Sequence, residues 1–181
     1  MTTPEQPAST DGNANGAAGN LDWLLSNFVG RTPGVTTAVA VSADGFLLAS
    51  SSIVSNDRPT DSGGPTAGGP TVGGPTVGGP TAGGTEQFAA IISGLNSLTK
   101  GAADLYAYGK VTQLIVEMEF GNLFVMAVDT GSTVGVVAEG DADIGAVAYE
   151  MALLIDRVGT LLTPSLIEEL KNSISLRARG R

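Results

Sequence analysis

Apolar side chains recur along this chain in two rhythms, and the switches between them lay out its elements. Leu21, Leu24, Leu25 and Phe28 fall at i, i+3, i+4 and i+7, the spacing of one helix face. They follow Asn20, a residue type that caps helix starts, and Thr32-Pro33-Gly34 ends the helix. Val35, Thr37, Val39 and Val41 then take every second position, the rhythm of a strand. Asp44-Gly45 supplies a tight turn into a second strand over about residues 46–51, because glycine tolerates the positive φ such turns need.

Farther on, Thr85 is placed to cap a helix with apolar positions Phe88, Ile91, Ile92, Leu95, Leu98 and Thr99. Ala89, Ala90, Ser93, Asn96, Ser97 and Lys100 form its small, polar side. Strands are predicted over 111–120 and 122–128, joined at Gly121-Asn122, and over 132–139. Residues 123–128 contain no polar alternate, the mark of a strand covered on both faces. A long helix follows from near Asp141, with Ile144, Val147, Met151, Leu154, Val158 and Leu161 in one stripe and Asp141 and Asp143 near its positive end. Thr163-Pro164 opens a short last helix that turns Leu166, Ile167 and Leu170 inward. The order α, β, β, α, β, β, β, α, α predicts an α+β domain, a five-stranded and mostly antiparallel sheet with helices on both faces.

Three stretches stand outside this pattern. Residues 1–19 are rich in Pro, Gly, Asn, Ala and Thr and read as a disordered tail, since they offer little surface to bury against the entropy of ordering. Residues 63–84 carry four copies of Gly-Gly-Pro-Thr, each followed by Ala or Val. A period of five excludes collagen, which needs glycine at every third position, and one Val per unit cannot build a repeat fold. The stretch reads as a semi-flexible insertion, at about 58–84, in a domain spanning 20–172. Lengthening a loop from ~6 to ~30 residues costs roughly 1.4 kcal/mol, small beside a stability of about 5–15 kcal/mol. Residues 173–181, with Arg177, Arg179 and Arg181, read as a basic C-terminal tail.

Composition narrows the chemistry. The 181 residues carry a formal net charge of −9, so a polyanion such as nucleic acid is repelled by most of the surface. The absence of Cys and His removes disulfides, thiol nucleophiles, His-based zinc sites and Ser-His or Cys-His catalysis. No signal peptide opens the sequence and no apolar run reaches a membrane span, which predicts a cytoplasmic protein.

The words "LDWLLSNFVGRTPGVTTAVAVSADGFLLASS", "QFAAIISGLNSLTKGAA", "VEMEFGNLFVMAV" and "DIGAVAYEMALLIDRVGTLLTPSL" resemble the Roadblock family, named from dynein light chains. They look like its actinobacterial members encoded beside a sensor-kinase-like protein and a Ras-like small GTPase. The resemblance covers residues 20–55 and 85–172 and stops at the repeat, where such proteins have only a few residues. It implies a Roadblock/profilin-like fold and a homodimer whose third strands pair into one continuous sheet. It also implies binding to a small Ras-like GTPase as scaffold or activator, with no catalytic residues and no cofactor of its own. On this reading Val111, Gln113, Ile115 and Glu117 line the dimer interface, and Ser93, Asn96, Ser97 and Lys100 face the partner. Two alternatives stay open: a small-molecule-sensing module of similar topology, and a structural platform for a sensor-kinase complex.

Rival chemistries find little in the residues. A phosphate-binding loop needs Gly, four residues, then Gly-Lys-Ser/Thr, but Val111 follows Gly109-Lys110 and Asp104 stands where the first glycine belongs. Glu117 and Glu119 are two apart on a predicted strand and point to one face, without a third ligand. Arg31, Arg58 and Arg157 are the ordered candidates for an arginine lent to a GTPase.

Overall fold

The computed structural model describes residues 11–53, 82–128 and 130–179. Nine elements follow in the predicted order: α1 Asp11–Arg31, β1 Val35–Val41, β2 Leu47–Ser52, α2 Ala82–Tyr106, β3 Gln113–Met118, β4 Gly121–Ala127, β5 Thr133–Glu139, α3 Ile144–Leu161 and α4 Pro164–Arg179. The strands form one sheet in the order β2-β1-β5-β4-β3, antiparallel at each junction. β2 and β3 are its edges.

Each face of the sheet has its own core. On one, Leu21, Leu25 and Phe28 of α1, Met151, Leu154 and Val158 of α3, and Leu166 and Leu170 of α4 pack on Ala38, Ala40, Phe124 and Val136. On the other, α2 alone supplies Ala89 and Ile92 against Val39, Val41, Leu123 and Val125. Helices on both sides bury every residue of β1, so its Thr36, Ala38 and Ala40 are as enclosed as the alternating positions singled out in the sequence.

Several boundaries differ from the sequence expectation. α1 starts at Asp11, so Asn20 lies inside it, and residues 11–19 of the expected tail are helical. Extending a helix already held by Leu21, Leu25 and Phe28 needs no new nucleus, and alanines favour it. Residues 1–10 lie outside the described residues. α2 likewise begins at Ala82, ahead of the expected Thr85 cap, while 58–81 of the insertion lie outside the described residues. α4 runs on to Arg179, through most of the stretch expected as a basic tail. The β3–β4 turn falls on Glu119-Phe120, because Met118 already pairs with Gly121. Gly121 belongs to β4, where an added Cβ would sit 3.0 Å from the Ala138 carbonyl oxygen.

Caps and turns fix the rest. Asp143 caps α3, its carboxylate accepting the Ala146 N–H at 3.0 Å. Thr163 Oγ1 accepts the Leu166 N–H ahead of α4, with Pro164 first in the helix as expected. Gly45 turns the β1–β2 hairpin at φ +87. Lys171 of α4 reaches that hairpin, its Nζ 2.8 Å from Asp44 Oδ1. The hydrogen bond from Lys171 holds the Asp44 carboxyl below 3.8. Ile53, donating its N–H to the Thr36 carbonyl, and the start of α2 mark the two ends of the insertion, both on the β2 side of the sheet.

Candidate functional site

The rotation of α2 decides which of its side chains other molecules can reach. Ile92 sits directly over Gly135 of β5, where a Cβ would come 2.5 Å from its Cδ1. Four residues on, Asn96 donates from Nδ2 to Thr133 Oγ1 at 2.9 Å. These two contacts turn Ala89, Ile92 and Asn96 toward the sheet and place Ser93 beside Gly45. Asn96 is therefore engaged by its own chain, and half-buried Ser93 lies toward the β1–β2 turn, so the partner-facing surface expected of this side is reduced. Ser97 and Lys100 are exposed.

Two residues expected in the core stand outside it. Ile91 is 49% exposed and Leu98 73%, and Leu105 is 78% exposed. Spaced by seven, they share one flank of the helix. Glu86 and Ser93 mark the flank toward β2, so the apolar flank is turned toward β3. Gly94 and Gly101 lie along the same side, and a Cβ at either meets no atom within 4 Å. The chain's own packing does not call for these glycines, although each costs a helix about 1 kcal/mol relative to alanine. Bare backbone on an apolar flank suits close approach by a second helix.

β3 completes this surface. It pairs with β4 alone among the described residues. α2 crosses β2, β1, β5 and β4 and leaves β3 nearly uncovered. Leu114 and Val116 are half-buried and Met118 is 50% exposed on that open face. Of the four residues expected at an interface, Gln113, Ile115 and Glu117 alternate onto the other face, where Ile115 packs against the larger core, and Val111 precedes the strand. Sequence reasoning missed Leu114, Val116 and Met118; the alternation within β3 contained them, but not which face lacks a helix.

The remaining candidates scatter. Glu117 is next to last in β3 while Glu119 sits in the turn, so the strand alternation that would pair them is broken. Among the described residues no three acidic groups come together as a metal site. Arg31 and Arg157 both line a groove between α1 and α3, across the sheet from α2. Arg58 lies outside the described residues. No helix among them is long and apolar enough to cross a membrane.

Comparison with known proteins fits this architecture. Residues 73–138 match the family model described as the Roadblock/LC7 domain. A Roadblock/LC7 domain from Streptomyces avermitilis superposes with a TM-score of 0.58 at 29% identity, over 76% of this chain and 92% of that one. The Roadblock/LC7 fold is the fold of this chain. MglB from Myxococcus xanthus shares it at 13% identity and a TM-score of 0.59, over 78% of this chain and 94% of that one. So does an MglB structure with a tetrameric arrangement, at 14% identity and a TM-score of 0.60, over 80% and 89%. No curated protein matches the chain. Within the Roadblock/LC7 fold, the bare β3 edge and the apolar flank of α2 adjoin each other.

Asp22 of α1 is the other electrostatic feature of note. Burial pushes its carboxyl pKa above 3.8. An acid whose pKa rises on folding weakens the fold once ionised: the penalty is absent below about pH 3.8 and complete above the raised value. Asp22→Asn is expected to raise the melting temperature slightly at pH 7 and leave it unchanged near pH 3, which thermal melts at both pH values check.

Proposed function

We propose that this protein is a homodimeric adaptor that docks a small Ras-like GTPase in the cytoplasm of a bacterium, regulating or scaffolding it while catalysing no reaction of its own. The observation that carries this reading is the continuity of the open β3 face with the apolar flank of α2. A second copy related by a two-fold axis supplies what both lack. β3 against β3 satisfies the bare edge, and α2 against α2 buries Ile91, Leu98 and Leu105 across Gly94 and Gly101. The outward sides of the paired helices, with Ser97 and Lys100, then form one platform for the GTPase.

The Roadblock/LC7 fold and the family resemblance support the partner class. Arg31 and Arg157 lie across the sheet from that platform, which favours regulation by positioning the GTPase's own residues over donation of an arginine. A neighbouring sensor-kinase-like protein is a further partner on the same reading, and the 58–81 stretch is an elaboration of the β2–α2 connection. The test is a pull-down on the full chain from native lysate, followed by identification of any GTPase retained and its nucleotide state. Addition of this protein to that GTPase then separates activator from scaffold by the rate of GTP hydrolysis. Recovery of a Ras-like GTPase is expected; its absence, or turnover of a metabolite by the purified chain alone, overturns the proposal.

A further inference from the structure

The sheet's second edge has no role in the reading above. β2 pairs only with β1 among the described residues, and its sequence, Leu47 to Ser52, contains none of the charges or prolines that usually guard an edge. α1 lies across one face of the strand and the beginning of α2 approaches the other. Between them opens a groove of about 520 Å³ lined by Asp22, Phe46, Leu47, Ala49, Ser50 and Glu86. Phe46 is 46% exposed there, an apolar contact beside open backbone. Among the described residues both ionisable groups in the groove are carboxylates, one from each helix, and no Lys or Arg lines it.

We propose that this groove binds an extended, positively charged peptide segment of another protein, added as a sixth strand along β2. Strand addition draws affinity from main-chain hydrogen bonds and selectivity from the side chains flanking the edge. Here Phe46 and Leu47 offer apolar contact to side chains of the incoming strand. Asp22 and Glu86 stand where Lys or Arg side chains can reach them. Asp22 is exposed, so an incoming cation reaches its carboxylate directly.

Charge argues against other occupants. Two copies pairing through β2 would bring the same carboxylates together, four negative groups at one seam. Arg177 and Arg179 belong to α4, which stays helical to Arg179 and so does not present them as a strand. A basic strand from another protein fits both carboxylates.

The probe is a fluorescent eight-residue peptide of two Lys-Lys-Val-Val repeats, which places Lys on both faces of the strand, with a Glu-Glu-Val-Val peptide as its counterpart, titrated into the full chain. The Lys–Val peptide is expected to bind, more weakly as salt rises, and to slow hydrogen exchange at the amides of residues 47–50. The double variant Asp22→Asn with Glu86→Gln is expected to lose at least ten-fold in affinity while keeping its oligomeric state and fold. An equal charge change on α3, Glu150→Gln with Asp156→Asn, is expected to leave affinity within two-fold. The inference is overturned by absence of binding at millimolar peptide, equal binding of both peptides, binding that leaves β2 exchange unchanged, or equal losses in the two double variants. Complete protection of β2 in the free protein also overturns it, because the edge would then already be filled.

Discussion

Replacing Leu98 and Leu105 together by glutamate is expected to convert the protein from a dimer to a monomer, raising the dissociation constant at least ~1,000-fold. Burial of one leucine side chain is worth about 1.5–3 kcal/mol. A two-fold axis counts each substitution twice, so four leucines leave the seam and four carboxylates enter it. Even after the ordering costs of association, a loss of at least ~4 kcal/mol is expected, which is the stated fold-change. The monomer's own fold should survive, since both side chains are more than two-thirds exposed within one chain. Light scattering at micromolar concentration should give twice the 18.1 kDa chain mass for the wild type and the single mass for the variant, with unchanged far-UV circular dichroism. A variant that stays dimeric, or a wild type that is already monomeric, removes this helix flank from the interface.

The second large effect is expected at Gly135. In a strand, Gly→Val ordinarily favours the fold by up to about 1 kcal/mol, because valine suits the pleated backbone. At this position a Cβ would fall 2.5 Å from Ile92 Cδ1, 2.7 Å from Cγ1 and 3.3 Å from Val39 Cγ2. Ile92 and Val39 are both fully buried, so neither can swing into solvent to make room. Overpacking of this kind costs about 1–3 kcal/mol, occasionally more, and it should win. Gly135→Val is expected to destabilise by ~2 kcal/mol in urea melts, and Ile92→Ala in the same chain to recover part of that. The coupling is the decisive part of the measurement: additive losses would mean that Ile92 does not seat over Gly135.

The same pair of residues explains what the sequence could and could not disclose. The β1–β2 hairpin, the buried β4 run and the stripe of α3 are written in local periodicity, and their boundaries lie within a few residues of expectation. The facing of α2 is not local. It depends on a missing side chain at Gly135 and a hydroxyl at Thr133, both more than thirty residues downstream of the helix positions they receive. Hydrophobicity alone assigns Ile91 and Leu98 to the core, because a sequence does not distinguish apolar residues that fill the chain's interior from those left exposed on its surface. Asn96 was misread for the complementary reason: its polarity suggested solvent, and its partner is an otherwise buried hydroxyl on β5. The early start of α1 is a third case, since composition speaks for residues 11–19 in isolation while an adjoining packed helix carries them along.

The attachment points of the Gly-Gly-Pro-Thr array have a consequence for heredity. Both are on the rim of the sheet opposite β3, at the end of β2 and the beginning of α2. A lineage that gains or loses a pentad alters the chain between these two points, at the edge remote from β3.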